Sequence, residues 1–233
     1  MTTNHQQVAI ITGASRGLGL ALARRLATNG YSLVIDARGA DDLERTRGDL
    51  AQTTKVVAIA GDVSDPEHRR RLIEAAEGQL DLLVNNASIL GPSPQPQLAD
   101  YPLEVLEQVY RTNVVAPLGL IQVALPLLRL SKGTVINITS DAALEAYEGW
   151  GGYGSSKAAL EQVSRILAAE ESQVRVYWVD PGDMNTRMHQ EAYPGEDISD
   201  RPPPEASVPG LLDLISRARP SGRYSARDLV SVT

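Results

Sequence analysis

Six short apolar runs, each followed by a longer amphipathic stretch, constrain this chain more than any other feature. The runs are Val8–Thr12, Ser32–Asp36, Lys55–Ala60, Leu80–Asn85, Thr134–Thr139 and Val174–Val179. Between them the periodicity predicts helices over Leu18–Thr28, Asp41–Ala51, Pro66–Glu77, Pro102–Leu130 and Tyr153–Glu171. Strands that are apolar almost throughout are buried on both faces, which implies a parallel sheet covered by helices. Right-handed crossovers then wind that sheet in both directions. The fold expected is therefore α/β, a single doubly wound parallel sheet in a three-layer α/β/α arrangement spanning 1–233. The Pro/Gly-rich stretches Gly91–Pro96 and Gly195–Pro204 separate no two sets of core elements, so they read as surface loops.

Composition narrows the function classes. The 233 residues include no cysteine, which excludes disulfides, thiolate metal ligands and a cysteine nucleophile. A net charge of -7 argues against nucleic acid as a partner, though a local basic patch can still hold a small anion. No metal site is expected. The polar start MTTNHQQ runs straight into a strand, so no secretory signal is expected. No apolar run is read as approaching the roughly 18 residues that cross a bilayer. A cytoplasmic location and no membrane partner are the expectations.

The first strand ends in Thr12-Gly13-Ala14-Ser15-Arg16-Gly17-Leu18-Gly19, where a helix begins. Gly13 permits a tight turn, Gly17 a close approach of backbone to phosphate, and Gly19 a helix packed close on the sheet. The helix N-terminus adds unpaired N–H groups and the positive end of the dipole. A glycine-rich turn without a ligand is the plainer reading of these residues taken alone.

The spacing T-G-x-x-x-G-x-G resembles that of the short-chain dehydrogenase/reductase family, and so do further motifs in the same order. Gly61-Asp62-Val63 follows the third strand, Asn85-Asn86-Ala87 the fourth, and Pro181-Gly182 with Thr186 the sixth. Ser88 stands where that family's N-N-A-G has its glycine. The resemblance reaches to about Thr186 and implies a Rossmann-type fold and a nicotinamide dinucleotide. It implies cofactor contacts from Gly13, Ser15, Arg16, Gly17, Leu18 and Gly19, with Asp62 and Val63 beside the adenine. Asn86, Ala87, Pro181, Gly182, Met184 and Thr186 complete the expected cofactor set.

The second strand ends Asp36-Ala37-Arg38. An acid there grips the ribose 2′-hydroxyl of NAD, and an arginine receives the 2′-phosphate of NADP. By resemblance the acid's position is occupied by Ala37 and the base's by Arg38, with Arg16 as a second cation. NADP(H) is therefore the expected cofactor, with NAD(H) as the alternative and Asp36 expected to turn away and pair an arginine. As plain surface charges, Arg16 and Arg38 would carry no such meaning.

Tyr153 and Lys157 are four residues apart, hence on one helix face. Carbonyl reduction needs a proton donor at oxygen while hydride reaches carbon. A nearby ammonium is expected to lower the phenol pKa, ordinarily near 10. Ser140, at the end of the fifth strand, can orient the substrate oxygen. By resemblance Ser140, Tyr153 and Lys157 form the catalytic set, Lys157 also binds the cofactor ribose, and Asn113 joins a proton relay. Taken singly, each has a bland alternative: a chance Y-x-x-x-K, a strand cap, a helix cap.

Segments 89–97, 142–152 and 183–207 are expected to wall the substrate, the last as a lid. They carry Tyr147, Trp150, Met184, Met188, His189 and Tyr193, which suit an apolar or mixed carbonyl or secondary alcohol substrate. Gly222–Ala226 reads as a seventh strand. A homodimer through the outer faces of the long helix and the Tyr153 helix, including Leu118, Ile121 and Val163, is expected; a tetramer is left open. A non-catalytic NADP(H)-binding redox sensor is the competing function, although such proteins usually lose the tyrosine or lysine. An epimerase or dehydratase of the extended branch is a third reading, against which stand the few residues after Pro181-Gly182.

Overall fold

The computed structural model describes residues 6–230. Seven parallel strands form one sheet in the order β3-β2-β1-β4-β5-β6-β7. They are β1 Val8–Ile11, β2 Ser32–Ala37, β3 Val56–Ala60, β4 Leu82–Asn85, β5 Thr134–Ile138, β6 Arg175–Asp180 and β7 Gly222–Ser225. All six residues of β2 are buried, as a strand covered on both faces requires.

One face carries α1 (Gly17–Thr28), α2 (Ala40–Leu50) and α8 (Val208–Arg217), whose Leu22, Leu26, Leu43, Leu211 and Leu214 pack with Ile11, Ile35 and Val179 of the sheet. The other carries α3 (Pro66–Glu74), α5 (Ala116–Ser131) and α6 (Gly151–Glu170), with Leu72, Leu120, Ile121, Leu128 and Leu167 against Ile10, Val34, Leu83 and Val135. This is the expected three-layer, Rossmann-type sheet. Its strand order reverses between β1 and β4, which pair in parallel at Ala9–Leu82 through Ile11–Val84. Crossovers leave these two strands in opposite directions and open a crevice beyond their carboxyl ends.

Several boundaries differ from the sequence reading. α3 stops at Glu74, and the chain turns through left-handed Glu77 and Gly78. α6 begins two residues before Tyr153, because packing overrides the poor helix propensity of Gly151-Gly152. The long helical region is α4 (Leu103–Tyr110), a π turn (Arg111–Val115) and α5. The expectation that no segment is long and apolar enough to cross a membrane needs correction. The 29-residue stretch Leu103–Ser131 is, by length and composition, with a mean hydropathy of 1.7 in its best window. Leu120, Ile121, Ala124 and Leu128 account for part of that apolarity, because they cover the sheet.

Ile121 is accordingly core rather than outer surface. The exposed large apolar side chains of these helices are Leu103, Val115, Val123 and Leu130, and Ile166 on α6. Segment 183–207 is not only loop. It contains α7 (Arg187–Ala192) and a 3-10 turn at Pro204–Ser207, and α9 (Ala226–Val230) follows β7.

Candidate functional site

A cleft of about 1090 Å³ lies over the carboxyl ends of the strands at the reversal point. Its lining joins the glycine turn, the end of β2, the segments after β3, β4, β5 and β6, the start of α6 and part of α7. Gly13, Ser15, Arg16, Gly17, Leu18, Arg38, Asp62 and Val63 line one part. Asn86, Ala87, Pro181, Gly182, Met184 and Thr186 line another, and Ser140, Tyr153 and Lys157 share the same wall. Of the substrate-wall candidates, Tyr147 and Tyr193 are outside the lining, and of the predicted catalytic and cofactor residues two are not in it. Gly19 and Asn113 sit behind it.

Gly19 acts through packing. A Cβ there would lie 2.5 Å from the Gly13 carbonyl oxygen and 2.6 Å from Asn86 Nδ2. Gly13 itself has φ +67, a left-handed conformation that side chains resist. The turn is fastened to the end of β4 as well. Thr12 Oγ1 accepts from Asn86 N at 2.9 Å and Ala87 N at 3.0 Å and donates to Val84 O at 3.2 Å. Asn86 Nδ2 donates to the carbonyls of Thr12 and Gly13.

Asp36 corrects an expectation. It pairs with no arginine. Buried at the end of β2, it accepts from Gly13 N at 2.8 Å and lies 2.9 Å from His68 Nε2. Burial raises its pKa, while the His68 and Gly13 hydrogen bonds pull it back. The carboxylate therefore supports the glycine turn from below. Arg16 and Arg38 are both exposed at the mouth of that end of the cleft.

Tyr153 and Lys157 share one face of α6, and both are buried. The Lys157 Nζ stands 5.4 Å from the Tyr153 ring centroid and donates to Ile138 O at 2.8 Å. Burial lowers the Lys157 pKa from 10.5 to about 7. The Tyr153 pKa is raised instead of lowered. Burial is the main cause, the Asp180 and Asp141 carboxylates add to it, and a Ser88 hydrogen bond works the other way. Burial and the two carboxylates set the direction, against the expected lowering by Lys157.

Ser140 lines the cleft at the start of a 3-10 turn, where its Oγ donates to Asp141 Oδ1 at 2.8 Å and accepts from Ala142 N at 3.2 Å. Asn113 is buried in the π turn. Its side chain bonds Ile89 N and O at 2.9 Å, and Ser88 Oγ and Ser156 Oγ at 3.0 Å. A π turn in a long helix often marks a functional position.

Sequence reasoning missed a buried network behind Ser140. Glu161, two turns after Tyr153 on the same face of α6, takes Arg223 Nε of β7 at 2.9 Å and Thr139 Oγ1 at 2.9 Å. Arg223 also donates to Ser140 O at 3.3 Å and lies 3.6 Å from Asp180 Oδ2. An arginine in the edge strand and a carboxylate on the Tyr153 face were the available signal. On the substrate side, Trp150 meets Tyr153 edge-on at 5.8 Å and Tyr193 at 5.8 Å, and His189 lies 5.0 Å from Tyr193. Leu90, Met188 and Ala192 complete this apolar wall.

Comparison with known proteins matches residues 7–197 to the family model for short chain dehydrogenases. The chain is 35% identical over 229 residues to a rhamnolipids biosynthesis 3-oxoacyl-[acyl-carrier-protein] reductase of Pseudomonas aeruginosa, covering 94% of this chain and 83% of that one. It is 36% identical over 199 residues to mouse sepiapterin reductase, covering 78% and 76%. Among solved structures, an alcohol dehydrogenase from Thermococcus sibiricus complexed with 5-hydroxy-NADP superposes with a TM-score of 0.84 at 28% identity, covering 95% and 96%.

Proposed function

The chain belongs to the short-chain dehydrogenase family of oxidoreductases, and we propose that it transfers hydride between NADP(H) and a carbonyl or secondary alcohol, with Tyr153 as the proton donor and acceptor. The observation that carries this reading is the convergence in one cleft of Ser140, Tyr153 and Lys157 with a glycine turn at a helix N-terminus.

The residues fit a dinucleotide. Gly13 and Gly17 have positive φ, α1 begins in the cleft lining at Gly17 and Leu18, and two exposed arginines share that lining. Arg16 and Arg38 would hold the 2′-phosphate, since two cations on a dianion make charge-assisted hydrogen bonds. This is the basis for preferring NADP(H) over NAD(H). Asp36 is committed to Gly13 and His68, which supports the same preference. Asp62 and Val63 would meet the adenine. Asn86, Ala87, Pro181, Gly182, Met184 and Thr186 would border the nicotinamide half. When bound, the nicotinamide supplies or accepts the hydride.

The raised pKa keeps the proton on Tyr153, which suits a donor to a carbonyl oxygen. Ser140 would hold that oxygen, and Lys157 would turn from Ile138 O toward the ribose hydroxyls and favour the phenolate as it forms. Trp150, Tyr193, Leu90 and Met188 favour an apolar or aromatic substrate. In the same reading, 1–233 is one domain, 183–207 closes over the substrate, Val115, Val123 and Ile166 face a second copy, and the protein works in the cytoplasm.

The test is NADPH oxidation with a panel of ketones and aldehydes. Tyr153→Phe should keep NADPH binding and lose most turnover, and Arg38→Asp should shift kcat/KM toward NADH. Full turnover in Tyr153→Phe would refute the assignment.

A further inference from the structure

His68 is fully buried in the first turn of α3 and does not border the cleft. Its ring reaches Asp36, which does border it, alongside Ala37 and Arg38. Chemistry fixes the direction of that contact. Arg71 Nη2 lies 3.3 Å from His68 Nδ1. A guanidinium only donates, so Nδ1 accepts and the ring hydrogen sits on Nε2. Nε2 therefore donates to Asp36 Oδ2 at 2.9 Å, while Oδ1 accepts from Gly13 N at 2.8 Å. Each carboxylate oxygen is met by a donor of the protein, and Asp36 is 1% exposed.

Gly61, the residue after β3, makes room for this ring. Its φ is not positive, so its backbone does not call for glycine. A Cβ there would lie 2.2 Å from His68 Nδ1 and 2.6 Å from Cε1, and the imidazole would have to leave. The glycine of Gly61-Asp62-Val63 thus serves the His68 ring, and through it the end of β2.

We propose that His68 is a positioning residue that sets cofactor choice, by holding the Asp36 carboxylate back from the cleft so that it does not select NAD(H). The inference rests on the NADP(H) reading given above. An acid at the end of the second strand is the group that takes the ribose 2′-hydroxyl of NAD. Released from His68, Asp36 Oδ2 would be such an acceptor, on the same stretch of lining as Arg38. It would also repel a 2′-phosphate held by Arg16 and Arg38. Drawn inward by Nε2 and by the Gly13 amide, it does neither. Cofactor choice at β2 is thereby written partly in α3, at a position 32 residues away that no cofactor touches.

The test is binding, with no substrate needed. Kd for NADPH and for NADH is measured by fluorescence titration of wild type, His68→Leu, His68→Gln, Gly61→Ala and the double variant His68→Leu/Asp36→Asn. A hydrogen bond to a charged group is worth about tenfold or more in an equilibrium. The ratio of the NADH Kd to the NADPH Kd should therefore fall about tenfold in His68→Leu, and likewise in Gly61→Ala, whose methyl displaces the ring. His68→Gln keeps a neutral N–H donor of similar reach and should keep the wild-type ratio. The double variant should keep it too, because no carboxylate is left to release. A loosened fold or a crowded adenine end weakens both cofactors alike and leaves the ratio in place. The inference stands on that pattern and is overturned by any other; should His68→Leu fail to fold, the ratio in Gly61→Ala decides. A wild type that binds NADH more tightly than NADPH would overturn the NADP(H) reading instead, and the shift from wild type to variant would still decide the role of His68.

Discussion

Replacing Lys157 by methionine should make the cofactor-free protein more stable, in a way that depends on pH. The Lys157 ammonium is buried and meets one carbonyl oxygen, Ile138 O. Its pKa falls from 10.5 to about 7. That difference of about 3.5 units, at about 1.36 kcal/mol each, corresponds to about 5 kcal/mol at most. Between pH 7 and 10.5 the unfolded chain binds this proton and the folded one does not. Stability therefore rises with pH across that window, and below it the full penalty on the folded state is present. Methionine fills a similar volume without the charge. Lys157→Met should gain several kcal/mol over the wild type at pH 7 and below, and the gap should close toward pH 10.5. Urea denaturation of both proteins, followed by circular dichroism from pH 6 to 10.5 without cofactor, measures it. A gap that stays constant across this range, or a wild type more stable at pH 7, would refute the reasoning.

Gly19→Ala forces a Cβ against the Gly13 carbonyl and Asn86; it should destabilise by about 1–3 kcal/mol and weaken NADPH binding in a fluorescence titration. His68→Leu strips buried Asp36 of its partner and should destabilise by about 3–5 kcal/mol at pH 7. In denaturation curves taken at falling pH that deficit should narrow, because Asp36 takes up its proton above the usual carboxylate range. Arg223→Met leaves Glu161 buried without its cation and Ser140 O with the Ala143 N–H as its remaining donor. It should destabilise by about 3 kcal/mol and lower kcat more than it raises KM in steady-state assays.

The sheet was legible because burial on two faces writes itself into consecutive residues, as in Val34-Ile35 or Val135-Ile136. The wall of the cleft was legible where its parts are local: the glycine turn, the four-residue step from Tyr153 to Lys157, Pro181-Gly182. Pairings across the fold were not. Asp36 and His68 are 32 residues apart, and Glu161 and Arg223 are 62 apart. No periodicity links such positions, so Asp36 was read from its strand neighbours and assigned an arginine. The pKa of Tyr153 was misjudged for a related reason. Spacing gives the distance to Lys157 but not the burial that suppresses its charge, nor the carboxylates of Asp141 and Asp180 opposite.

Thr12 stands where β1 and β4 part company. Up to Ile11 and Val84 the two strands are joined by ordinary ladder bonds. Beyond that point their backbones diverge, and amides that would otherwise lose their partners are met by one hydroxyl, which accepts twice and donates once. The seam of the sheet is thus unzipped to a fixed tooth and no further. A valine of the same shape would leave two amides facing an apolar methyl and remove the side-chain tie at this point. The width of the crevice, and with it the spacing between whatever sits on the glycine turn and whatever sits on Asn86-Ala87, depends on this side-chain oxygen together with the Asn86 amide that reaches back to the Thr12 and Gly13 carbonyls.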